Sequence, residues 1–362
     1  MAEDETISER IIDLDENDDA VAYVQYDITS YGADYTVDGL VKRLRNDDIF
    51  IPDFQREYVW NQAEASRLVE SLLLGLPIPG VFLAREADNR LLIIDGQQRL
   101  KSLQFFCDGY FNPKEGNKTK RVFKLVKVQK QFEGLTYEKL DESDRIKLDD
   151  SIIHATIIKQ ESPVEDNTSI YHVFERLNTG GRKLAPQEIR TAIYHGTFNN
   201  LIVTLNQLDD WRDLFGPVSP RLKDQELILR FFAAYYSGNQ YSKPMNEFLN
   251  KFNIKTRNPS EDFLQSSYLI FAETMGFINE HLGKTAFRPE RSLNVAAFEA
   301  VSVGIAKVLT RKNGDIDPAR CKEAHLKLLK DENFIRTISS GTSDESVFKE
   351  RHKLVDEYFA DV

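Results

Sequence analysis

The sequence predicts an α+β protein in which a mixed α/β domain comes first and an all-helical domain follows. Strand-like alternation is confined to the first part of the chain, and from about Pro163 onward the apolar spacing is helical. A chain of 362 residues also fits two domains of roughly 150 residues each. We therefore expect an acidic mobile tail over residues 1–22, a mixed domain over 23–195 and a helical domain over 196–362.

Several patterns define the mixed domain. A strand is expected over residues 22–28, and Thr36 can cap a helix whose apolar residues recur with helical spacing. Asn61 followed by Glu64 is typical of a capping box that opens a second helix. Strands are expected over residues 81–85, 90–94, 122–128 and 152–158, and the second of these runs directly into Asp95 and Gly96. A helix should follow, with Leu100, Leu103 and Phe106 on one face.

The second half of the chain shows helical periodicity with short connections. The predicted helices cover residues 224–236, 245–252, 261–282, 294–309, 320–330 and 343–359.

Composition narrows the class of protein. No run of about 18 apolar residues is present, and the acidic start of the chain does not resemble a signal peptide. The two cysteines, Cys107 and Cys321, cannot form a disulfide framework or a C-x-x-C metal pair. These observations favour a cytoplasmic protein. The net charge of −11 argues against nonspecific coating of DNA, although nine of the first 20 residues are Asp or Glu and a local basic face remains possible elsewhere.

The junction Asp95-Gly96-Gln97-Gln98-Arg99 is the strongest candidate site. Gly96 would let a ligand approach the backbone, and a helix beginning at Gln97 would direct N–H groups and a positive dipole end toward an anion. Arg99 adds a planar cation suited to phosphate oxygens, and Asp95 is an acceptor for a metal, a water or a ribose hydroxyl. The alternative is an ordinary helix start that Asp95 merely caps.

Two further polar clusters could complete an anion site. Gln55 and Arg56 lie among aromatic residues after Pro52, where a structural salt bridge is the alternative. Asn178 opens an Asn-Thr-Gly-Gly stretch that could equally be a helix C-cap and turn. The G-x-x-x-x-G spacing of residues 75–80 is not a P-loop, since Val81 and Phe82 follow it, and the scattered histidines do not indicate zinc.

Together these motifs resemble the N-terminal domain of GmrSD-type restriction enzymes, a ParB/sulfiredoxin-like domain. The resemblance rests on the stretches around Gln55 and Arg56, on Asp95 to Arg99, and on the stretch around Asn178. It implies a domain that binds, and often hydrolyses, a nucleoside triphosphate with Mg²⁺ in defence against foreign or modified DNA.

The resemblance also implies roles for these residues. Arg56 and Arg99 would neutralise phosphates, while Gly96, Gln97 and Gln98 would cradle them and Gln55 and Asn178 would complete the pocket. Asp95 would hold the metal, and Asp95, Gln97 and Arg99 would be the catalytic residues.

Many members of the family carry a His-Me-finger nuclease domain, and no histidine here has the spacing of that motif. We therefore expect a stand-alone regulatory form that could act with a separate nuclease or effector protein and could form oligomers. A non-catalytic module that binds nucleotide or modified DNA is one alternative. A DNA nuclease with an unrecognised metal site is the other.

The densest basic stretch is the candidate DNA-binding face. It contains Lys118, Lys120, Arg121 and Lys124, with Lys127 beyond them. Lysines also protect exposed edge strands from aggregation, so a solvated edge strand is the alternative interpretation.

Overall fold

The computed structural model describes residues 11–13, 27–51, 58–86, 88–111, 121–162, 168–177, 184–312 and 314–362. The chain divides into two compact units. The sheet unit is Tyr26–Lys183, and the helical unit combines Met1–Gln25 with Leu184–Val362.

The strands and helices follow one another along the chain in a simple order. β1 (Ile11–Ile12) lies in the helical unit, and the sheet unit then contains β2 (Asp27–Thr36), α1 (Val37–Arg45), β3 (Ile49–Phe50), α2 (Gln62–Leu73), β4 (Val81–Arg85), β5 (Leu91–Asp95), α3 (Gln97–Cys107), β6 (Tyr110–Phe111), β7 (Arg121–Val122), α4 (Glu142–Asp149), β8 (Ile152–Ser162) and α5 (Thr168–Leu177).

The described strands of the sheet unit form a mixed five-stranded sheet in the order β2-β8-β4-β5-β3, and β6 pairs separately with β7. β2 and β8 are antiparallel, β8 and β4 parallel, β4 and β5 antiparallel, and β5 and β3 parallel. β4 and β5 therefore lie inside the sheet, which explains why both sequences are almost entirely apolar. The predicted mixed α/β character of this part of the chain is confirmed.

Local capping chemistry fixes the starts of the first two helices as the sequence predicted. Thr36 Oγ1 accepts the backbone N–H of Gly39 at 3.2 Å, and α1 buries Val37, Leu40, Val41 and Leu44. Asn61 and Glu64 form a complete capping box at α2. The apolar face of α2 packs into the same core.

The prediction of a strand over residues 122–128 is wrong beyond Val122, where the strand ends. The alternation is real, since Phe123 and Leu125 are fully buried. Their own backbone groups bond to the backbone of Gly109, Gly134 and Leu135, and backbone groups of nearby residues bond to side chains of α2, instead of to a neighbouring strand. Gln62 Nε2 donates to the Lys124 carbonyl at 2.6 Å, Ser66 Oγ accepts from Val126 N–H at 3.1 Å, and Glu70 Oε1 accepts from Gln129 N–H at 2.7 Å. These three side chains are spaced by four residues on α2, so one face of that helix satisfies backbone groups of Lys124, Val126 and Gln129.

The helical unit is built from helices with one short strand pair in its described part. Its elements are α6 (Pro186–Ile193), α7 (Thr197–Leu205), α8 (Asp209–Phe215), α9 (Lys223–Ser237), α10 (Met245–Lys255), α11 (Glu261–His281), β9 (Leu293–Asn294), α12 (Val295–Arg311), α13 (Pro318–Leu328), α14 (Glu332–Ser339) and α15 (Glu345–Tyr358).

The core of the helical unit is centred on α9 and α12, most of whose residues are buried. All six predicted helices are confirmed, with ends that move by a few residues. The sequence did not delimit α6, α7, α8 or α14. None of the helices in the described ranges is both long enough and apolar enough to span a bilayer.

Part of the segment expected to be a mobile acidic tail is ordered. β1 pairs in parallel with β9, matching Ile11 to Leu293 and Ile12 to Asn294. The following residue, Asp13, has a side chain only 2% exposed because it forms ion pairs inside the helical unit. For these three residues the expectation of a solvated tail does not hold, since a carboxylate with buried cationic partners is held in place by them.

Candidate functional site

The junction between β5 and α3 has the strand–glycine–helix geometry that the sequence predicted. Gly96 is the N-cap residue of α3 and adopts a left-handed conformation with φ of 101°. A Cβ on this residue would lie 2.5 Å from Val81 Cγ1 on β4. Glycine is therefore required here by the turn and by the neighbouring strand. Having no side chain, it offers no oxygen to cap the first amides of α3.

Arg99 is anchored to the start of its own helix. Its Nη2 donates to Asp95 Oδ2 at 2.7 Å, and its Nη1 donates to the Pro79 carbonyl at 3.0 Å. The Arg99 side chain is 13% exposed, whereas that of Asp95 is 55% exposed. The pair therefore presents its carboxylate to solvent and holds its largely buried guanidinium in a fixed orientation.

Gln98 connects α3 to a second predicted cluster. Its Oε1 accepts the backbone N–H of Val59 at 3.0 Å and that of Trp60 at 3.3 Å. These residues closely follow Gln55 and Arg56 in the sequence. Gln55 and Arg56 themselves lie outside the described residues. The structure thus brings the chain that follows the Gln55-Arg56 motif to the first turn of α3.

A buried hydroxyl pair supports this contact. Tyr58 Oη lies 2.7 Å from Ser102 Oγ, and Ser102 Oγ donates to the Gln98 carbonyl at 2.6 Å. Burial raises the pKa of Tyr58 to about 12, so its hydroxyl is protonated at neutral pH and can donate to Ser102. Sequence reasoning did not single out Ser102, although its position one turn after Gln98 on the same face of α3 was a usable signal.

The remaining predicted nucleotide-site residues are placed only in part. Gln97 is half-buried in the first turn of α3 and makes contacts of its own. Asn178 lies outside the described residues, but α5 ends at Leu177, one residue before it, and α5 contacts both β5 and β8. The Gln55-Arg56 motif and the Asn178 motif are thus each adjacent in sequence to a segment that contacts β5 or α3.

The metal prediction depends on Asp95. Within the described ranges, no group of three or more His, Cys, Asp or Glu side chains is arranged to hold a metal ion. Mg²⁺ in nucleotide sites needs only one or two carboxylates, because phosphate oxygens and water complete its shell. The exposed carboxylate of Asp95 meets that requirement. It is not enough for a metal site whose ligands all come from the protein.

The predicted DNA face is also described only in part. Lys118 and Lys120 lie outside the described residues. Arg121, in β7, and Lys124 are exposed. The hydrogen bond from Gln62 to the Lys124 carbonyl places this basic segment beside the first turn of α2, which begins directly after Trp60 and Asn61.

Comparison with known protein sequences identifies a family for part of the chain. Residues 37–195 match the sequence model of the family described as GmrSD restriction endonuclease, N-terminal domain. This segment contains all three motifs, and it therefore belongs to the GmrSD N-terminal domain family, as the motifs predicted. The chain is also similar to the uncharacterized protein MJ0686 of Methanocaldococcus jannaschii, with 33% identity. That alignment covers 18% of this chain and 15% of MJ0686.

Proposed function

We propose that the sheet unit binds a nucleoside triphosphate at the first turn of α3 and that the chain is a nucleotide-regulated component of restriction-type DNA defence. The hydrogen bonds from Val59 and Trp60 to Gln98 carry this proposal. They connect a helix N-terminus whose N-cap glycine offers no side chain to the segment that follows Arg56 in the sequence. The family to which residues 37–195 belong, named for a restriction endonuclease, supplies the biological setting.

The phosphates would lie against the amides of Gln97 and Gln98, where the helix dipole favours negative charge. Arg99 has five N–H donors, and the Pro79 carbonyl and Asp95 hold its orientation, so donors remain for phosphate oxygens. Gln55, Arg56 and Asn178 would add contacts from the flanking segments.

The exposed Asp95 carboxylate would repel phosphate in the absence of a cation. A bound Mg²⁺ would supply the positive charge that removes this repulsion. Turnover would then need Asp95 and Gln97 to orient a water and Arg99 to neutralise charge on the phosphoryl group. Asp95 is already paired with Arg99, and this pairing favours a sensor that hydrolyses slowly or only binds.

A binding screen with ATP, GTP, CTP and UTP tests the nucleotide site, with and without Mg²⁺. We expect at least one nucleotide to bind saturably, more tightly with Mg²⁺, and Asp95→Asn to reduce the gain that Mg²⁺ gives. Absence of binding by all four would overturn the proposal. Phosphate release with and without DNA then separates a nucleotide hydrolase from a binding module.

A separate proposal concerns DNA. Lys118, Lys120, Arg121 and Lys124 would contact DNA phosphates, in keeping with the exposure of Arg121 and Lys124. Reversing the charge of Arg121 and Lys124 should weaken DNA binding and flatten its dependence on salt. The matched control reverses two exposed lysines of the same unit, Lys139 and Lys147. Equal affinity in both variants would exclude this face.

A further inference from the structure

The helical unit contains a cavity whose lining carries more positive than negative charge. Its volume is about 400 Å³, and its charged side chains are Lys284, Arg288, Arg291 and Asp213. Three cations and one carboxylate give the lining a formal charge of +2. Cavities of roughly 300–1,000 Å³ are the usual size for small-molecule sites. This cavity is therefore large enough for a small ligand, and its charge favours an anion.

Arg288 is a half-buried cation in the lining of this cavity. Its Nη1 donates to the Lys284 carbonyl, and its Nη2 donates to the carbonyls of Leu214 at 2.9 Å and Phe215 at 3.4 Å. These carbonyls fix the orientation of the guanidinium but do not neutralise its charge. Burial lowers the pKa of Arg288, but an arginine keeps its proton at neutral pH.

The three cations lack counter-charges within the described ranges. None of them forms an ion pair there, and Lys284 and Arg291 are exposed. Asp213, the carboxylate in the lining, accepts instead from Asn279 Nδ2 at 3.4 Å. Glu290 is exposed and does not line the cavity. Because a charge taken out of water is costly without a partner, an anion bound here would stabilise the half-buried guanidinium.

Phe215, at the end of α8, gives the cavity an apolar surface beside these cations. Its ring centroid lies 5.2 Å from that of the buried Trp211, and the Arg212 guanidinium lies 5.2 Å from the same Phe215 centroid. These contacts hold the ring in place. The paired strands β1 and β9 add Ile11 and Leu293 to the lining. The cavity therefore suits an anionic group that is carried on an aromatic or apolar body.

We propose that this cavity binds a phosphate monoester, with the phosphate held by Lys284, Arg288 and Arg291 and the organic part against Phe215. A phosphate monoester carries a charge of about −1.5 to −2 at neutral pH, which matches the charge of the lining. Its oxygens also accept paired N–H bonds from a planar guanidinium. A singly charged anion would leave part of the positive charge uncompensated. The cavity belongs to the helical unit, so its role does not depend on the nucleotide site of the sheet unit.

The test is isothermal titration of the full-length protein with phenyl phosphate, an aromatic phosphate monoester. Benzenesulfonate is the matched ligand, since it has the same ring and a single negative charge. The first variant combines Lys284→Gln and Arg291→Gln, because both side chains are exposed and the fold should survive their loss. The matched control combines Arg311→Gln and Lys312→Gln, exposed cations at the C-terminal end of α12. Arg99→Ala separates binding in the sheet unit from binding in this cavity.

We expect the wild type to bind phenyl phosphate saturably and at least about threefold more tightly than benzenesulfonate. The variant lacking Lys284 and Arg291 should bind phenyl phosphate on the order of tenfold more weakly, because two charge-assisted contacts are lost. The α12 control and Arg99→Ala should keep the wild-type affinity. The proposal is overturned if phenyl phosphate does not bind, if benzenesulfonate binds as tightly, if the first variant loses no more affinity than the α12 control, or if Arg99→Ala removes the binding.

Discussion

The side-chain oxygen of Gln98 accepts the backbone N–H of Val59 at 3.0 Å. The same oxygen accepts the N–H of Trp60, so one glutamine joins the first turn of α3 to a segment almost 40 residues earlier in the chain. The amide side chain of Gln98 and the backbone N–H groups of Val59 and Trp60 are all uncharged. The contact therefore persists at any pH or salt concentration at which the unit is folded. The proposed nucleotide site depends on this connection.

Replacing Gln98 with Ala should lower both stability and nucleotide affinity. Two backbone amides lose their acceptor, which should reduce the free energy of unfolding by about 1–2 kcal/mol because water can reach this half-buried position. Denaturant unfolding measures the first effect and calorimetric titration the second. Gln104→Ala, on the same helix, is the control. The interpretation fails if both variants lose the same stability and affinity.

Gly96→Ala should be more destabilising than Gly109→Ala. Both glycines have positive φ, 101° and 80°, so both variants incur backbone strain of about 1–2 kcal/mol. Only at Gly96 would the new methyl group meet Val81, since Gly109 has open space around it. We expect a further loss of about 1–3 kcal/mol at Gly96, measured by urea unfolding. Equal losses would show that Val81 does not restrict this turn.

Asp13 should make stability dependent on pH in the acidic range. Its folded pKa is lower than its unfolded value, so its contribution is complete above an unfolded pKa of about 4 and is lost as the pH falls further. Asp13→Asn should cost about 3 kcal/mol at neutral pH, because Lys223 and Arg230 lose a buried counter-charge, and this cost should shrink at low pH.

Thermal unfolding followed from neutral to acidic pH measures this effect, with Asp4→Asn as the control. If Asp13→Asn lowered the free energy of unfolding by the same amount at every pH, Asp13 would not be charged in the folded protein.

Elements with strong local signals could be predicted from the sequence. The caps at Thr36 and Asn61 depend on residues up to three positions away, and the left-handed turn needs a glycine at residue 96, so these signals are visible in a few residues. β2 was harder, because it runs to Thr36, well beyond the predicted end at Ile28. Its residues are mostly exposed and polar, and its order comes from pairing with β8, more than 100 residues later.

Tertiary partners decided the other differences. Phe123 and Leu125 alternate like strand residues, but Gln62, Ser66 and Glu70 of α2 bond to the backbone of Lys124, Val126 and Gln129. Similarly, nothing in the local sequence shows that Asp13, among nine acids, would find buried cations on α9. In the candidate site, the sequence identified Asp95, Gln98 and Arg99 but not the backbone groups that bond to Gln98 and Arg99, since the Val59 amide and the Pro79 carbonyl leave no side-chain signal.

The most direct test is the affinity for nucleoside triphosphate of Arg99→Ala compared with Arg67→Ala. Both substitutions remove one arginine from the sheet unit, but Arg67 is exposed on α2, whereas Arg99 is fixed at the start of α3. Isothermal titration with the nucleotide that binds best should show at least about a tenfold loss for Arg99→Ala, equivalent to the loss of one charge-assisted contact. Arg67→Ala should bind as the wild type does. A folded Arg99→Ala protein with wild-type affinity would contradict a nucleotide site at the first turn of α3.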